Sequence, residues 1–250
     1  MTVDDGRTVE ISSLVCTGTL ARETEQWLFG GLIASLPKLR MAELFALRGD
    51  MFRDAHLITV ATEKADGSAV GVLSSRWCAL PSGRPFLHVL AQFVGDRYRR
   101  GVIFRRSWGD HFATLQRDKR GFPDLIVLKT YNPIVYCAMR AFTRVPGVSI
   151  YPDITAGVTQ DPAAAQLASQ VAEVVAAGHR FVPETGIIHG IGLPYDLYPG
   201  LPASSDRVAN DYFAAVTQPD DRMLCMLSVP TPEAGDRILG AFDIAPFARS

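Results

Sequence analysis

The sequence predicts an α/β protein with a mixed, largely antiparallel twisted sheet and helices on both faces. Three observations carry this. Two β-branched and aromatic-rich runs, His56 to Thr62 and Ser68 to Leu80, flank Asp66-Gly67, a strong short-range hairpin signal. A third run, Arg84 to Val94 (RPFLHVLAQFV), follows the Pro81-Ser82-Gly83 turn and completes an antiparallel meander. From Arg84 to Phe142 the chain reads strand, Arg-rich glycine turn, helix, strand, helix.

Taken in order, residues 8 to 16 (TVEISSLVC) predict a first strand, and Thr19 to about Ala34 a helix with Trp27, Leu28, Gly31 and Leu32 on one face. Pro37 interrupts; KLRMAELFALRGDMF then predicts a second helix with Gly49 as its stop. After the meander and the basic turn, Phe104, Trp108, Phe112 and Leu115 form the apolar line of a third helix. QRDKRGFPD is a charged surface loop, and Leu125 to Lys129 a strand covered on both faces. Asn132-Pro133 starts a helix to about Phe142, since Asn caps well and Pro suits the first helical position. Asp161-Pro162 starts another, to Ala177, with Gly178 as its stop. Later strands are expected at Phe181 to Ile191, Arg222 to Pro230 and Arg237 to Ile244, with a Pro/Gly/Tyr-rich loop between. No linker divides the chain, so one domain over residues 1–250 is expected, with a core at about 11–150 and an extension at about 151–250 completing the sheet.

Composition bounds the function. The chain has 250 residues, 48% hydrophobic and 20% charged, enough for a large core. Its net charge of −1 supplies no global attraction for DNA or an acidic membrane, so anion binding must come from a local patch. The 4 cysteines are scattered, without a CxxC pair or a Cys/His cluster, which argues against a zinc site and disulfides and fits a cytoplasmic location. The polar, acidic start is no signal peptide, and no apolar run approaches the roughly 20 residues of a membrane span. No GxSxG, Walker A or HExxH motif is present, and His189-Gly190-Ile191-Gly192 lacks the third glycine and following helix of a dinucleotide loop.

The local patch is the turn after Val94. Arg97, Arg99, Arg100, Arg105 and Arg106 put five guanidiniums within ten residues. Arg matches phosphate geometry bidentately, and a helix N-terminus offers free N–H groups to an anion. Arg99 and Arg100 are best placed for such a clamp; the bland reading is a solvated helix face or a set of salt bridges.

This order of elements, with the turn Arg97-Tyr98-Arg99-Arg100-Gly101-Val102-Ile103, resembles the GCN5-related N-acetyltransferase (GNAT) superfamily, the acyl-CoA N-acyltransferase fold. The family's turn has the form Gln/Arg-x-x-Gly-x-Gly/Ala, and its backbone amides grip the pyrophosphate of acyl-CoA. Here Tyr98 stands at the Gln/Arg position and Ile103 at the Gly/Ala position, where it would crowd the phosphate. The family's general-acid Tyr falls at Met139, with Tyr136 one turn sooner. The resemblance implies acetyl-CoA or another acyl-CoA as co-substrate, no metal, and a small-molecule amine acceptor that attacks the thioester directly. It implies that Phe93, Val94, Tyr98, Arg99, Arg100, Gly101, Val102, Ile103 and Asn132 hold the cofactor. His88 would take the amine's proton through water, and Tyr136 would protonate the sulfur; each is equally a core residue on its element. The atypical turn leaves open an acyl-carrier protein or aminoacyl-tRNA donor, or a non-catalytic binding protein of the same fold, and a homodimer stays open as well. Cys137 reads as buried and inert. Glu184 and His189 would face opposite sides of one strand. Tyr195, Asp196 and Tyr198, in the long loop, are candidate acceptor contacts or solvated loop residues.

Overall fold

The computed structural model describes residues 8–48, 51–99, 102–117, 121–154, 159–192, 197–198 and 200–244. In chain order these form β1 (Val9–Val15), α1 (Arg22–Ser35), α2 (Met41–Leu47), β2 (Leu57–Glu63), β3 (Ala69–Ala79), β4 (Pro85–Val94), α3 (Ile103–Arg117), β5 (Leu125–Thr130), α4 (Pro133–Arg140), β6 (Ser149–Tyr151), α5 (Pro162–Val175), β7 (Phe181–Val182), β8 (Ile187–Ile188), α6 (Arg207–Val216), β9 (Arg222–Ser228) and α7 (Pro232–Ala241). The order from β1 to α4 is the one the family resemblance implies, and the mostly antiparallel strand pairing agrees with the predicted fold class.

The chain folds as two compact units. The first draws on residues within Met1–Arg76, Val89–Phe122 and Asp236–Ser250. Its strands run β1-β2-β3-β4. β1 lies antiparallel to β2 with Val9 opposite Glu63, and β2 antiparallel to β3 with Leu57 opposite Ser75. Leu28 and Leu32 of α1 are buried as the periodicity predicts, but Trp27 is 39% exposed and its indole N–H donates to the Gly67 carbonyl at 2.9 Å. α3 packs Trp108 against Phe112, and Phe112 against Phe122 and Phe242.

Under α3 lies a chain of polar groups. Ser13 on β1 donates to Asp110 Oδ2 at 2.5 Å and touches Thr59 Oγ1 on β2 at 2.5 Å. Thr59 Oγ1 is 2.8 Å from His111 Nδ1, and Ser75 Oγ on β3 is 2.8 Å from His111 Nε2. Each hydroxyl has one proton. Ser13 spends its proton on Asp110, so Thr59 donates to Ser13, His111 Nδ1–H donates to Thr59, and Ser75 donates to Nε2. One direction of donation therefore runs from Ser75 to the Asp110 carboxylate and fixes His111 as the neutral Nδ1–H tautomer. Ser13 and Asp110 also line a pocket of about 400 Å³ with Val15, Thr114 and Arg117.

The second unit draws on residues within Trp77–His88 and Pro123–Gly235. Here β9 pairs antiparallel with β5 on one side, Leu125 opposite Ser228, and on the other with β6 and β8 at its two ends. β8 also pairs with β7. Leu125 and Val127 of β5 and Leu224 and Met226 of β9 are buried against Ala168, Val171, Ala172 and Val175 of α5. Asp161 caps α5, accepting from Ala163 N at 2.7 Å.

Two strand expectations are corrected, one helix is added and another ends earlier than expected. Arg237 to Ala241 is the second half of helix α7, not a strand: Thr231 Oγ1 accepts from Ala234 N at 3.3 Å, Pro232 takes the first position, and Ala234, Ile238 and Leu239 form a buried helical stripe. Phe181 to Ile191 is a tight hairpin of two short strands, turned at Gly186 with φ 74°. The stretch after Pro202 holds α6, capped by Asp206 through Ala209 N at 3.0 Å; that N–H and the Arg140 guanidinium hold the Asp206 carboxyl below the usual carboxylate range. The helix from Asn132 ends at Arg140 and passes into a 3₁₀ turn over Ala141–Arg144.

Burial pulls the His111 pKa down to about 3, against about 6.5 in the unfolded chain. The unfolded state therefore binds the extra proton between these values, so this contribution is complete above pH 6.5 and is lost as pH falls toward 3. Between pH 6 and 4 the wild type should lose about 1.4 kcal/mol more per pH unit than His111→Gln, read from urea midpoints. Parallel pH dependences would disprove it.

Candidate active site

β4 delivers the chain to the basic turn. Gly95 N donates to Val70 O at 2.8 Å, and a Cβ on Gly95 would come within 3.0 Å of both Val70 O and Ser35 Cβ, so glycine lets the strand end close against β3 and α1. A 3₁₀ turn over Asp96–Tyr98 follows. Tyr98 is 5% exposed, its hydroxyl donates to Glu63, and its ring packs with Val9, Ala61, Val70 and Ile103. Ile103 is 1% exposed in the same cluster. Both side chains therefore face the interior, and the expectation that Ile103 crowds a phosphate is corrected: an apolar residue in the first turn of α3 is drawn into the core. The first turn of any helix carries N–H groups without helical partners.

The arginines divide their work. Arg97 lies 5.6 Å from the Tyr98 ring centre and 3.9 Å from Glu63. Arg105 donates to Ala241 O at 2.7 Å and meets Asp243 at 3.1 Å. Arg99 pairs with Asp96 at 3.1 Å and stays about half exposed. Val102 is exposed, while Phe93 and Val94 at the end of β4 are half-buried. Arg100 and Gly101 lie outside the described residues, as do Tyr195 and Asp196.

In the second unit, β5 ends at Thr130 and Asn132 turns the chain into α4. Its Oδ1 accepts from Ile134 N at 2.9 Å, and its Nδ2 donates to the Tyr198 hydroxyl at 3.1 Å. Tyr136, one turn on, is fully buried. Its hydroxyl donates to Pro152 O at 2.8 Å, its ring meets Phe213 edge-on, and burial pushes its pKa well above the ordinary value. His88 is 2% exposed, between Leu87 at 0% and Val89 at 5% on β4. Cys137 is half-buried, its thiol 3.7 Å from Ser204 Oγ.

The strand registers join His189 and Asn132, which the sequence singled out separately, with Asp221, Arg222 and Tyr131, which it did not. Ile188 lies opposite Arg222, and Thr130 opposite Met223, so His189, Asp221, Arg222, Tyr131 and Asn132 come to one end of this unit's strands. Asp221, 2% exposed, accepts from His189 Nδ1 at 3.0 Å, Gly190 N at 3.2 Å and Gln218 N at 3.0 Å. Arg222 lies 4.3 Å from the Tyr131 ring centre, and Tyr131 meets Tyr198 edge-on. Asp221 and His189 are 32 residues apart, with no spacing motif between them; the DD pair before an apolar strand was the one local sign. Among the described residues no group of three His, Cys, Asp or Glu side chains is placed to hold a metal ion, and no helix is long and apolar enough to cross a membrane.

The chain matches no family model and no curated protein. By structure it is similar to a GNAT family N-acetyltransferase (YhbS) from Escherichia coli in complex with CoA, at 16% identity and a TM-score of 0.35, over 52% of this chain and 68% of that one. It is also similar to a GNAT family acetyltransferase from Brucella melitensis in complex with acetyl-CoA, at 13% identity and a TM-score of 0.33, over 48% and 75%. A third likeness is to Naa50 of Arabidopsis thaliana in complex with a bisubstrate analogue, at 15% identity and a TM-score of 0.35, over 57% and 84%.

Proposed function

We propose that this protein is an N-acyltransferase that moves an acyl group from an acyl-CoA thioester to the amine of a small molecule. The observation that carries the reading is the passage from β4, through Gly95 and a 3₁₀ turn over Asp96–Tyr98, to Arg99 and the first turn of α3. Such a turn presents guanidinium and free N–H groups to one anion, the chemistry a pyrophosphate needs.

In this reading the amine attacks the thioester carbonyl directly, and a backbone N–H at the Phe93–Val94 end of β4 polarises that carbonyl. Phosphate contacts come from Arg99, Arg100 and the backbone of Gly101 to Ile103. The inward-facing Ile103 favours CoA over a carrier-protein or aminoacyl-tRNA donor, because no side chain at that position needs to be avoided.

Acetyl-CoA and free CoA at about 100 times Kd should stabilise the protein by about 2.7 kcal/mol, a rise of roughly 5–10 °C in Tm by thermal shift. Arg99→Ala/Arg100→Ala should abolish most of that rise while melting cooperatively. No shift with any CoA species would remove acyl-CoA as donor. Tyr136→Phe separates the two readings of that hydroxyl. Loss of the Pro152 bond should cost about 1–2 kcal/mol in denaturant midpoint with turnover retained, whereas a fall in kcat of about 100-fold at unchanged stability would make Tyr136 the acid.

A further inference from the structure

We propose that the pocket between β1 and α3 of the first unit binds a free α-amino acid with an apolar side chain, its ammonium on Asp110 and its carboxylate on Arg117. The pocket has a volume of about 400 Å³ and is lined by Ser13 and Val15 of β1 and by Asp110, Thr114 and Arg117 of α3. Two periodicities produce this lining. Ser13 and Val15 are two residues apart on a strand and share a face, and Asp110, Thr114 and Arg117 follow at i, i+4 and i+7 along one row of a helix. The volume falls within the roughly 300–1,000 Å³ of small-molecule sites. The site is independent of the acyl-transfer reading. All five residues belong to one unit, and Asp110 lies about 10 Å of helix beyond Ile103, where the first turn of α3 begins.

The polar chain behind the pocket sets the carboxylate. Ser13 donates to Asp110 Oδ2 at 2.5 Å, Thr59 holds Ser13, and the neutral His111 ring holds Thr59. Every donor in this chain is uncharged. It fixes the position of the carboxylate and leaves the negative charge without a counter-charge. Among the described residues Asp110 Oδ1 has no hydrogen-bond partner, and no cationic side chain pairs with it. Thr114 is 8% exposed, and its hydroxyl also has no hydrogen-bond partner among the described residues. A hydroxyl so enclosed costs free energy until something in the pocket bonds to it. Arg117 donates through Nε to Ala113 O at 3.2 Å, which folds its side chain back along α3 and leaves both Nη groups without a partner among the described residues.

One small molecule can meet both charges. The Cα atoms of Asp110 and Arg117 are separated by about 10.5 Å along the helix axis, and the fold toward Ala113 brings the guanidinium back toward Asp110. Two charged hydrogen bonds of about 2.8 Å each, added to the ~3 Å between the ammonium and carboxylate of an α-amino acid, span about 8–9 Å and fit that gap. A simple amine leaves the guanidinium unmatched, and a simple acid leaves the carboxylate unmatched. A zwitterion satisfies both, and its ammonium protons also suit the Thr114 oxygen. Val15 is the apolar member of the lining and is 46% exposed, so it gains contact when an apolar side chain packs on it.

The test is isothermal titration of the full chain with L-leucine, L-valine and L-methionine, each beside its decarboxylated amine and its deaminated acid (for leucine, isoamylamine and 4-methylpentanoate). At least one amino acid should bind with a Kd below about 1 mM, and its amine and its acid should each bind about tenfold more weakly or worse. Arg117→Gln should fold as the wild type does, because the side chain is exposed, and should weaken the amino acid about tenfold or more. Asp110→Asn keeps an oxygen for Ser13 and removes the charge, and should weaken it by at least as much. No binding of any of the three amino acids to the folded wild type overturns the proposal. So does a Kd unchanged in folded Arg117→Gln, or an amine that binds as tightly as its amino acid. None of these outcomes depends on whether acetyl-CoA binds.

Discussion

The buried carboxylate of Asp221 constrains the candidate site more than any other group. A carboxylate removed from water needs donors for its lone pairs, and leaving it bare costs several kcal/mol. Asp221 meets this with two backbone N–H groups and one imidazole N–H, all from segments that the strand registers bring to the start of β9. The same three bonds fix the turn from Gln218 to Asp221, the exit of β8 at Gly190 and the plane of the His189 ring. Local structure, packing and the chemistry of the imidazole thus follow from satisfying one anion.

The first unit solves the same problem with the opposite chemical result. His111 is enclosed by Thr59 and Ser75, so both of its ring nitrogens are spent and burial keeps it neutral far below the usual pH. It has no lone pair left for a substrate, and its network links β1, β2 and β3 to α3 as a fully satisfied polar core. His189 spends Nδ1 on Asp221. Two histidines, each in a chain ending on an aspartate, therefore differ in how many ring nitrogens the fold engages. His88, 2% exposed in mid-strand, is again enclosed.

What the sequence made legible was local. The Asp66-Gly67 hairpin, the Asn132-Pro133 and Asp161-Pro162 helix starts and the apolar run of β5 each declare themselves within a few residues, and each lies where the pattern put it. The segment from Arg237 was misread because Ile238, Leu239 and Phe242 look strand-like in a short window, whereas the capping Thr231 lies six residues earlier. Trp27 was assigned to the buried face of α1 by spacing alone, but its indole N–H found the Gly67 carbonyl of the hairpin turn. The Asp221–His189 pair and the chain from Ser75 to Asp110 depend on register across several strands, which no periodicity within one element encodes.

In the proposed function one member of the basic turn's salt-bridge set, Arg99, doubles as an anion ligand. Arg105 is committed to the end of α7 and Arg97 to the Tyr98–Glu63 corner, so neither is free to follow a ligand. Arg99 differs. Its partner Asp96 is only three residues away, and both side chains retain solvent contact, at 46% and 25% exposure. Such a pair is worth about 0–1 kcal/mol, whereas a bidentate guanidinium–phosphate contact beside helix N–H groups is stronger and more directional. The Asp96 contact therefore holds Arg99 near the first turn of α3 at small cost, and an arriving pyrophosphate would replace a weak local carboxylate with a better acceptor. Because Ile103 turns inward, that exchange meets backbone rather than an apolar side chain, and the departure from the family's glycine pattern at this position is compatible with phosphate binding.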